Sequence, residues 1–233
     1  ESELIDIDAS LNFLEYADSI HLQTSILDSL TLYIARTSDL LGYYYHGEGD
    51  FKNALQYWEL SAYIYKTVLG ENHPDYAGTL VCLGVLYSDM GDYAKAESYC
   101  LEALSIQKIV LGENHPDYAR SLNNFGALYF DMGDYSKAES YYLEALNICK
   151  SVLGENHPEY AGSLNNFGAL YSAMGDYSKA ESYYLEALNI CKSVLGENHP
   201  EYAGSLNNFG ALYSAMGDYS KAESYYLEAL NIC

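Results

Sequence analysis

One spacing dominates this sequence: the pentapeptide GENHP returns every 42 residues, first at Gly70 and last at Gly196. Residues 196–233 match residues 154–191 without a difference. A period between 20 and 50 residues indicates an array in which each unit buries its apolar side against its neighbours. The repeat therefore excludes most globular folds before any single residue is considered.

Each unit contains two amphipathic helical patterns, which in the fourth unit cover about residues 158–174 and 177–195. Pro158 suits the first turn of a helix, and Gly175 and Gly196 suit the turns that follow one. Apolar residues recur at i, i+3, i+4 and i+7, the spacing of one buried helix face. The predicted buried positions are Leu164, Phe167, Gly168 and Tyr171 on the first helix, and Ala180, Tyr184, Ala187, Leu188 and Cys191 on the second.

The charge balance limits the kinds of partner. The chain has 33 acidic and 11 basic residues, a formal charge of −22. This balance repels phosphate backbones and anionic lipid, so we expect neither nucleic-acid nor membrane binding. Basic or neutral proteins are the partners that it allows. The chain does not begin with Met, and we expect it to be part of a longer protein.

Nine spaced residues of the last unit resemble the signature of the tetratricopeptide repeat. The 42-residue step and the LGENHP linker are similar to the long variant found in kinesin light chains. The resemblance covers about residues 25–233 and implies an all-α, right-handed superhelical solenoid of antiparallel helix pairs. Its first helices would line a concave groove that receives peptides. The signature residues are Leu206, Phe209, Gly210, Tyr213, Gly217, Tyr219, Ala222, Tyr226 and Ala229.

The same resemblance gives the expected domain organisation. Residues 1–24 match no unit, but Leu11, Leu14 and Ile20 allow one further helix, which we expect to cap the array. At the other end the last helix would lack a neighbour, so we expect end-to-end self-association there. The array spans residues 25–233, with units of about 28–69, 70–111, 112–153, 154–195 and a truncated 196–233.

Histidines and cysteines recur once per unit and give no catalytic pattern. The histidines His73, His115, His157 and His199 stand a whole repeat apart, too far for one metal site, and we expect them to cap helices. The cysteines predict buried, reduced thiols, which favour a cytoplasmic location. The usual phosphate-loop, nucleophile-elbow and zinc-protease motifs do not occur in the sequence. We expect no metal, no cofactor and no enzymatic activity.

Paired asparagines in mid-helix are the strongest candidates for a binding site. Asn favours caps and turns over helix interiors, yet SLNNFGALY is repeated three times. On a helical wheel the first Asn of each pair lies about 100° from the buried face, and the second lies farther round. The first, or inner, asparagines are Asn123, Asn165 and Asn207, and the outer ones are Asn124, Asn166 and Asn208.

The resemblance places the inner asparagines along the concave groove, where their amides could hold a peptide backbone. The alternative is that either set binds the adjacent repeat and only fixes the stacking. We favour partner binding for the inner set and packing for the outer set. The further groove candidates are Arg36, Arg120, Phe130, Asp89 and Asp131.

The sequence therefore predicts a scaffold that binds a peptide or partner protein as one part of a larger protein. Two alternatives stay open. One is a sensor or autoinhibitory array that controls a fused effector domain, and the other is self-assembly through the open repeat ends.

Overall fold

The computed structural model describes residues 24–232 of the chain, and it confirms the all-α prediction for them: ten helices and no strand. The described residues divide into two compact units, residues 24–110 and 111–232. The first unit contains α1 (Thr24–Gly47), α2 (Phe51–Val68), α3 (Pro74–Asp89) and α4 (Tyr93–Val110). The second contains α5 (Pro116–Asp131), α6 (Tyr135–Val152), α7 (Pro158–Ala173), α8 (Tyr177–Val194), α9 (Pro200–Ala215) and α10 (Tyr219–Leu230).

The repeated loop residues set the helix ends. His157 is the N-cap of α7, where its Nδ1 accepts a hydrogen bond from the Glu159 N–H at 3.2 Å. The same bond recurs at the other three histidines, which confirms their predicted capping role. Asp176 caps α8 through its side chain. Gly175 and Gly196 have φ of +80° and +88°, a conformation that glycine adopts without the steric cost of a Cβ.

The predicted apolar faces meet in the core of residues 111–232. Leu164 and Phe167 are buried, and Phe167 stacks on Tyr183 of α8 with ring centroids 5.1 Å apart. The second helices α6 and α8 also contact the following first helix, as Tyr184 does with Phe209, whose ring centroid lies 6.0 Å away. Each of these two helices thus packs against two first helices, which holds the pairs in a row.

In residues 24–110 the contact between α1 and α2 is formed by different residues from those of the later helix pairs. Gly42 of α1 lies against the indole of Trp58 on α2, and Tyr45 stacks on Tyr57 with ring centroids 5.4 Å apart. Trp58 is almost fully buried. The glycine in the first helix therefore makes room for a large ring in the second, as it does in the pairs of residues 111–232, whereas Gly84 of α3 faces the smaller thiol of Cys100.

The predicted capping segment, residues 1–24, and Cys233 lie outside the described residues apart from Thr24, the first residue of α1. Across residues 24–232 the helices are too short or too polar for any of them to cross a membrane.

Candidate binding surface

One face of the first helices in residues 111–232 is open. Gly162 and Gly204 are exposed, and a Cβ added at either position would meet nothing within 4 Å. Ala173 and Ala215, farther along the same helices, are exposed as well. We call this the first-helix face. It presents backbone and small side chains, with little bulk between a ligand and the helix.

Arg120 occupies on α5 the position that Gly162 has on α7. Its guanidinium group forms ion pairs with Asp117 at 3.0 Å and with Glu159 of the next first helix at 2.9 Å. All three side chains are substantially solvent-accessible, so each pair contributes less than about 1 kcal/mol. Arg120 therefore lies on the first-helix face, where it also connects two neighbouring repeats.

The inner Asn123 lies between two repeats. Its Nδ2 donates a hydrogen bond to the hydroxyl of Ser163 on the next first helix, at 2.9 Å. Ser163 is fully buried, and its own hydroxyl donates to the carbonyl of Glu159 at 3.2 Å. This is the contact with an adjacent repeat that the sequence left as the alternative to partner binding.

The inner asparagines differ in how far the next repeat covers them. Asn123 and Asn165 are half-buried, and the Oδ1 atom of each is shielded from solvent without a hydrogen-bond partner. Asn207, in the last pair of this chain, is exposed. The following repeat is therefore what buries the inner asparagine. The amides lie at the border between the first-helix face and the repeat interface.

The outer asparagines Asn124, Asn166 and Asn208 are all half-buried. Phe130 is half-buried too, with its ring centroid 5.7 Å from that of Tyr135. Asp131 is exposed.

In the first unit, Asp39 stands where later units have the inner asparagine. It is half-buried, and its Oδ1 accepts a hydrogen bond from the hydroxyl of Thr79 on α3 at 3.1 Å. Desolvation by burial raises the pKa of Asp39, although the hydroxyls of Tyr65 and Thr79 favour its charged form. The position of the inner asparagine therefore joins two neighbouring first helices in residues 24–110 as well as in residues 111–232.

Two more polar pairs join α1 to α3. His46 Nε2 and Asp89 Oδ2 lie 2.7 Å apart. Asp89, one of the predicted groove residues, therefore already has a partner within residues 24–110. The hydroxyl of Tyr43 and the thiol of Cys82 lie 3.0 Å apart. Arg36, the remaining candidate of this unit, is exposed.

The bond between Asn123 and Ser163 gives a testable expectation. Replacing Asn123 by Ala should lower the free energy of unfolding by about 0.5–1.5 kcal/mol, because a partly buried hydrogen bond is lost. Asn207→Ala is the matched control and should change it by less than about half a kcal/mol, because Asn207 is exposed. Urea denaturation followed by circular dichroism measures both. Equal effects of the two substitutions would mean that the bond adds nothing to stability.

The thiols lie as the sequence predicted, with one difference. Cys100, Cys149 and Cys191 are buried, whereas Cys82 is only half-buried; all four are free. Burial raises the pKa of the Cys100 thiol to about 12 and that of Cys82 to about 11. Such thiols remain protonated at neutral pH and are poor nucleophiles. Among the described residues, no group of three His, Cys, Asp or Glu side chains could hold a metal ion.

The sequence interpretation missed two features. One is Ser163 as the partner of the inner asparagine. A signal was available in the sequence, because Thr79 and Ser163 occupy equivalent positions of their repeats, each 40 residues after a polar residue at the inner position. The other is a row of exposed leucines on the second helices. The sequence did not indicate it, because a leucine in a helix is expected to lie in the core.

These helix pairs, repeated in register with one open face, define the class of helical-repeat scaffolds for protein interaction. Sequence profiles described as tetratricopeptide repeat match residues 34–75, 75–151, 126–193 and 164–233. The chain belongs to the tetratricopeptide repeat family. A search of the curated proteins found no match.

Solved structures agree with this assignment. BtubC (BKLC) from P. vanneervenii is similar at 27% identity and a TM-score of 0.71, covering 97% of this chain and 89% of that one. A putative kinesin light chain from Podosopora anserina with nearly identical repeats has 21% identity and a TM-score of 0.64, covering 84% and 93%. A Rap protein complexed with competence and sporulation factor has 18% identity and a TM-score of 0.73, covering 99% and 60%. The last two show the fold alone. The array is a tetratricopeptide repeat solenoid, a fold typical of non-catalytic scaffolds.

Proposed function

We propose that the first-helix face of residues 111–232 binds a peptide or a segment of a partner protein. The observation that carries the proposal is the open space at Gly162 and Gly204, beside the half-buried amides of Asn123 and Asn165. A glycine inside a helix costs about 0.5–1 kcal/mol relative to Ala, and nothing in the packing requires these two. Close approach of a ligand to the helix backbone is a reason to have them.

The chemistry of this face favours a ligand held through its backbone. Beyond the glutamate of the first turn, α7 and α9 contain no charged residue, and Asn207 presents a solvent-exposed amide with two donors and an acceptor. Each hydrogen bond to a peptide contributes only about 0.5–1.5 kcal/mol, so several repeats must act together. Arg120 and Asp131 would add selectivity at the α5 end.

The test fills the open space without disturbing the fold. In the variant Gly162→Gln with Gly204→Gln, two side chains project where no atom lies now, as Arg120 already does on α5. The control, Ser178→Gln with Ser220→Gln, adds similar bulk at exposed positions of second helices. The parent and both variants would serve as bait in a lysate of the source organism, with bound proteins identified by mass spectrometry.

We expect the parent and the serine control to capture a common protein that the glycine variant does not retain. A synthetic peptide from that protein should then bind the parent in a fluorescence titration. Equal capture by all three baits would place the binding site elsewhere and refute the proposal. Circular dichroism spectra would establish that the three baits are equally folded.

A further inference from the structure

A row of leucines lies exposed on the second helices of residues 111–232. Leu143, Leu185 and Leu227 are 50, 49 and 53% exposed, at the same position of α6, α8 and α10. A single exposed leucine is normal on a protein surface. Three at equivalent positions, equally exposed, form a regular apolar row, which we call the leucine row.

Leu185 lines an open pocket of about 540 Å³ between α8 and the loop before α7. Leu185 and Ile190 form its apolar part, and the carboxylates of Glu155 and Glu186 lie at the same pocket. The remaining lining side chains are uncharged hydrogen-bonding groups: Asn156, Ser182, Asn189 and Ser193. An apolar strip is thus bordered by uncharged hydrogen-bonding groups, by the Glu186 carboxylate and by Glu155, which is paired with Lys150.

The same lining residues recur in the neighbouring repeats. The segment 182–193 of α8 is repeated letter for letter at 140–151, and its first ten residues recur at 224–233. The glutamate that follows each leucine of the row is exposed in all three helices: Glu144, Glu186 and Glu228. The surface therefore presents one chemical pattern at each of three successive repeats.

The lysines of this unit form their direct ion pairs with other carboxylates, and Lys150 and Lys192 attract Glu186 and Glu228 only from beyond ion-pair distance. Glu186 instead accepts a hydrogen bond from the neutral hydroxyl of Tyr160 at 3.4 Å, and Glu228 from that of Tyr202 at 3.1 Å. A carboxylate has about four acceptor sites, so capacity is left. The lysine pairs are Lys137–Asp134, Lys150–Glu155, Lys179–Asp176, Lys192–Glu197 and Lys221–Asp218.

An apolar strip beside a carboxylate suits a side chain with an aliphatic stem and a cationic head. Arginine has both, and its guanidinium group forms two parallel hydrogen bonds with one carboxylate. The formal charge of −22 would attract a basic segment over a distance before contact. An acidic or purely apolar segment would leave these carboxylates desolvated and unpaired, which is costly.

We propose that the leucine row is a docking surface for a basic segment of a partner protein. The segment lays one arginine stem on each leucine and sets its guanidinium group against the glutamate that follows that leucine in sequence. This surface belongs to the second helices, and the inference does not depend on a ligand at the first-helix face.

The test uses a fluorescein-labelled nona-arginine peptide as the probe, with fluorescence anisotropy at physiological salt. The variant Glu144→Gln, Glu186→Gln and Glu228→Gln should bind it at least about tenfold more weakly, since three charge pairs are lost. A charge-matched control replaces Glu48, Glu59 and Glu71 by Gln in the first unit, where all three are exposed. The affinity of this control for the probe should fall less than about threefold, because the substitutions change only the long-range attraction.

A second variant separates the leucines from the charges. Replacing Leu143, Leu185 and Leu227 by Ser leaves the net charge unchanged and should still weaken the probe at least about fivefold, because apolar contact with the arginine stems is lost. The variant Gly162→Gln with Gly204→Gln should bind the probe as the parent does. Equal losses in the two glutamate triples, or unchanged binding by the serine triple, would overturn the proposal.

Discussion

Replacing Gly168 by Leu is expected to lower the free energy of unfolding by about 1–3 kcal/mol. A Cβ at this position would overlap the ring of Tyr184 on the paired helix, well inside van der Waals contact. The ring cannot move aside, because Tyr184 is buried at 5% exposure and packs against Phe209 of the next repeat. Urea denaturation followed by circular dichroism measures the loss.

Two other glycines provide matched controls for this prediction. Gly162→Leu, six residues earlier in the same helix, should raise the free energy of unfolding by about 0.5–1 kcal/mol, because the side chain enters open space and leucine is a better helix former. Gly210→Leu should cost less than Gly168→Leu, because its facing ring, Tyr226, is 41% exposed. If Gly168→Leu and Gly162→Leu shifted stability in the same direction, the close contact between the helices would be contradicted.

Replacing Asp39 by Asn is expected to raise the free energy of unfolding at neutral pH by roughly 1 kcal/mol. The carboxyl group is half-buried between α1 and α3, and burial penalises its charge. An asparagine oxygen can still accept the hydrogen bond from Thr79, and the amide is the group that this chain has at equivalent positions such as Asn123. The substitution thus removes a charge and retains the bond.

The pH dependence of this gain has a definite sign. Because the pKa of Asp39 is raised in the folded state, the folded protein binds the proton more tightly than the unfolded chain. The penalty is absent below the unfolded pKa of about 3.9, grows as the pH rises through the folded pKa, and is complete above it. The advantage of Asp39→Asn should therefore be full at pH 7 and vanish near pH 3.5.

Unfolding titrations at several pH values measure this difference. Asp28→Asn, at an exposed position of the same helix, is the control and should show no comparable gain. An advantage of Asp39→Asn that persisted unchanged at pH 3.5 would show that burial of the charge is not its cause.

Much of the fold could be predicted from the sequence because the signals are local and repeated. Pro158 predicted the start of α7, and Gly175 and Gly196 predicted the ends of α7 and α8. The observed bounds agree with these predictions within one or two residues. Burial of Gly168 was predicted from its place on the apolar face, whereas the ring of Tyr184 against it is known only from the structure. Ile190 is buried although it was not among the predicted core positions, since a helix covered by two first helices buries a wider face.

The contacts of the inner asparagines could not be predicted from the sequence. A wheel gives the direction of Asn123 relative to its own second helix, but it cannot say whether the next repeat reaches the amide. The 2.9 Å bond to Ser163 depends on how closely two first helices approach, which is a distance between elements 40 residues apart. The partner-binding role of the inner asparagines stays a prediction. End-to-end association also stays a prediction. The exposure of Tyr226 is consistent with it, because this ring is 41% exposed where the equivalent Tyr184 is buried.

The sequence alone determined the family, the helix pairs and the alternation of buried and solvent-facing positions, because each depends on residues within one turn or one repeat. Tertiary structure alone decided which polar groups are covered by a neighbouring repeat and which remain open. The 42-residue period makes Asn165 and Asn207 identical in sequence, as it does Tyr184 and Tyr226. Their exposures differ because burial depends on the helix that packs across them, and that helix is specified by another part of the chain.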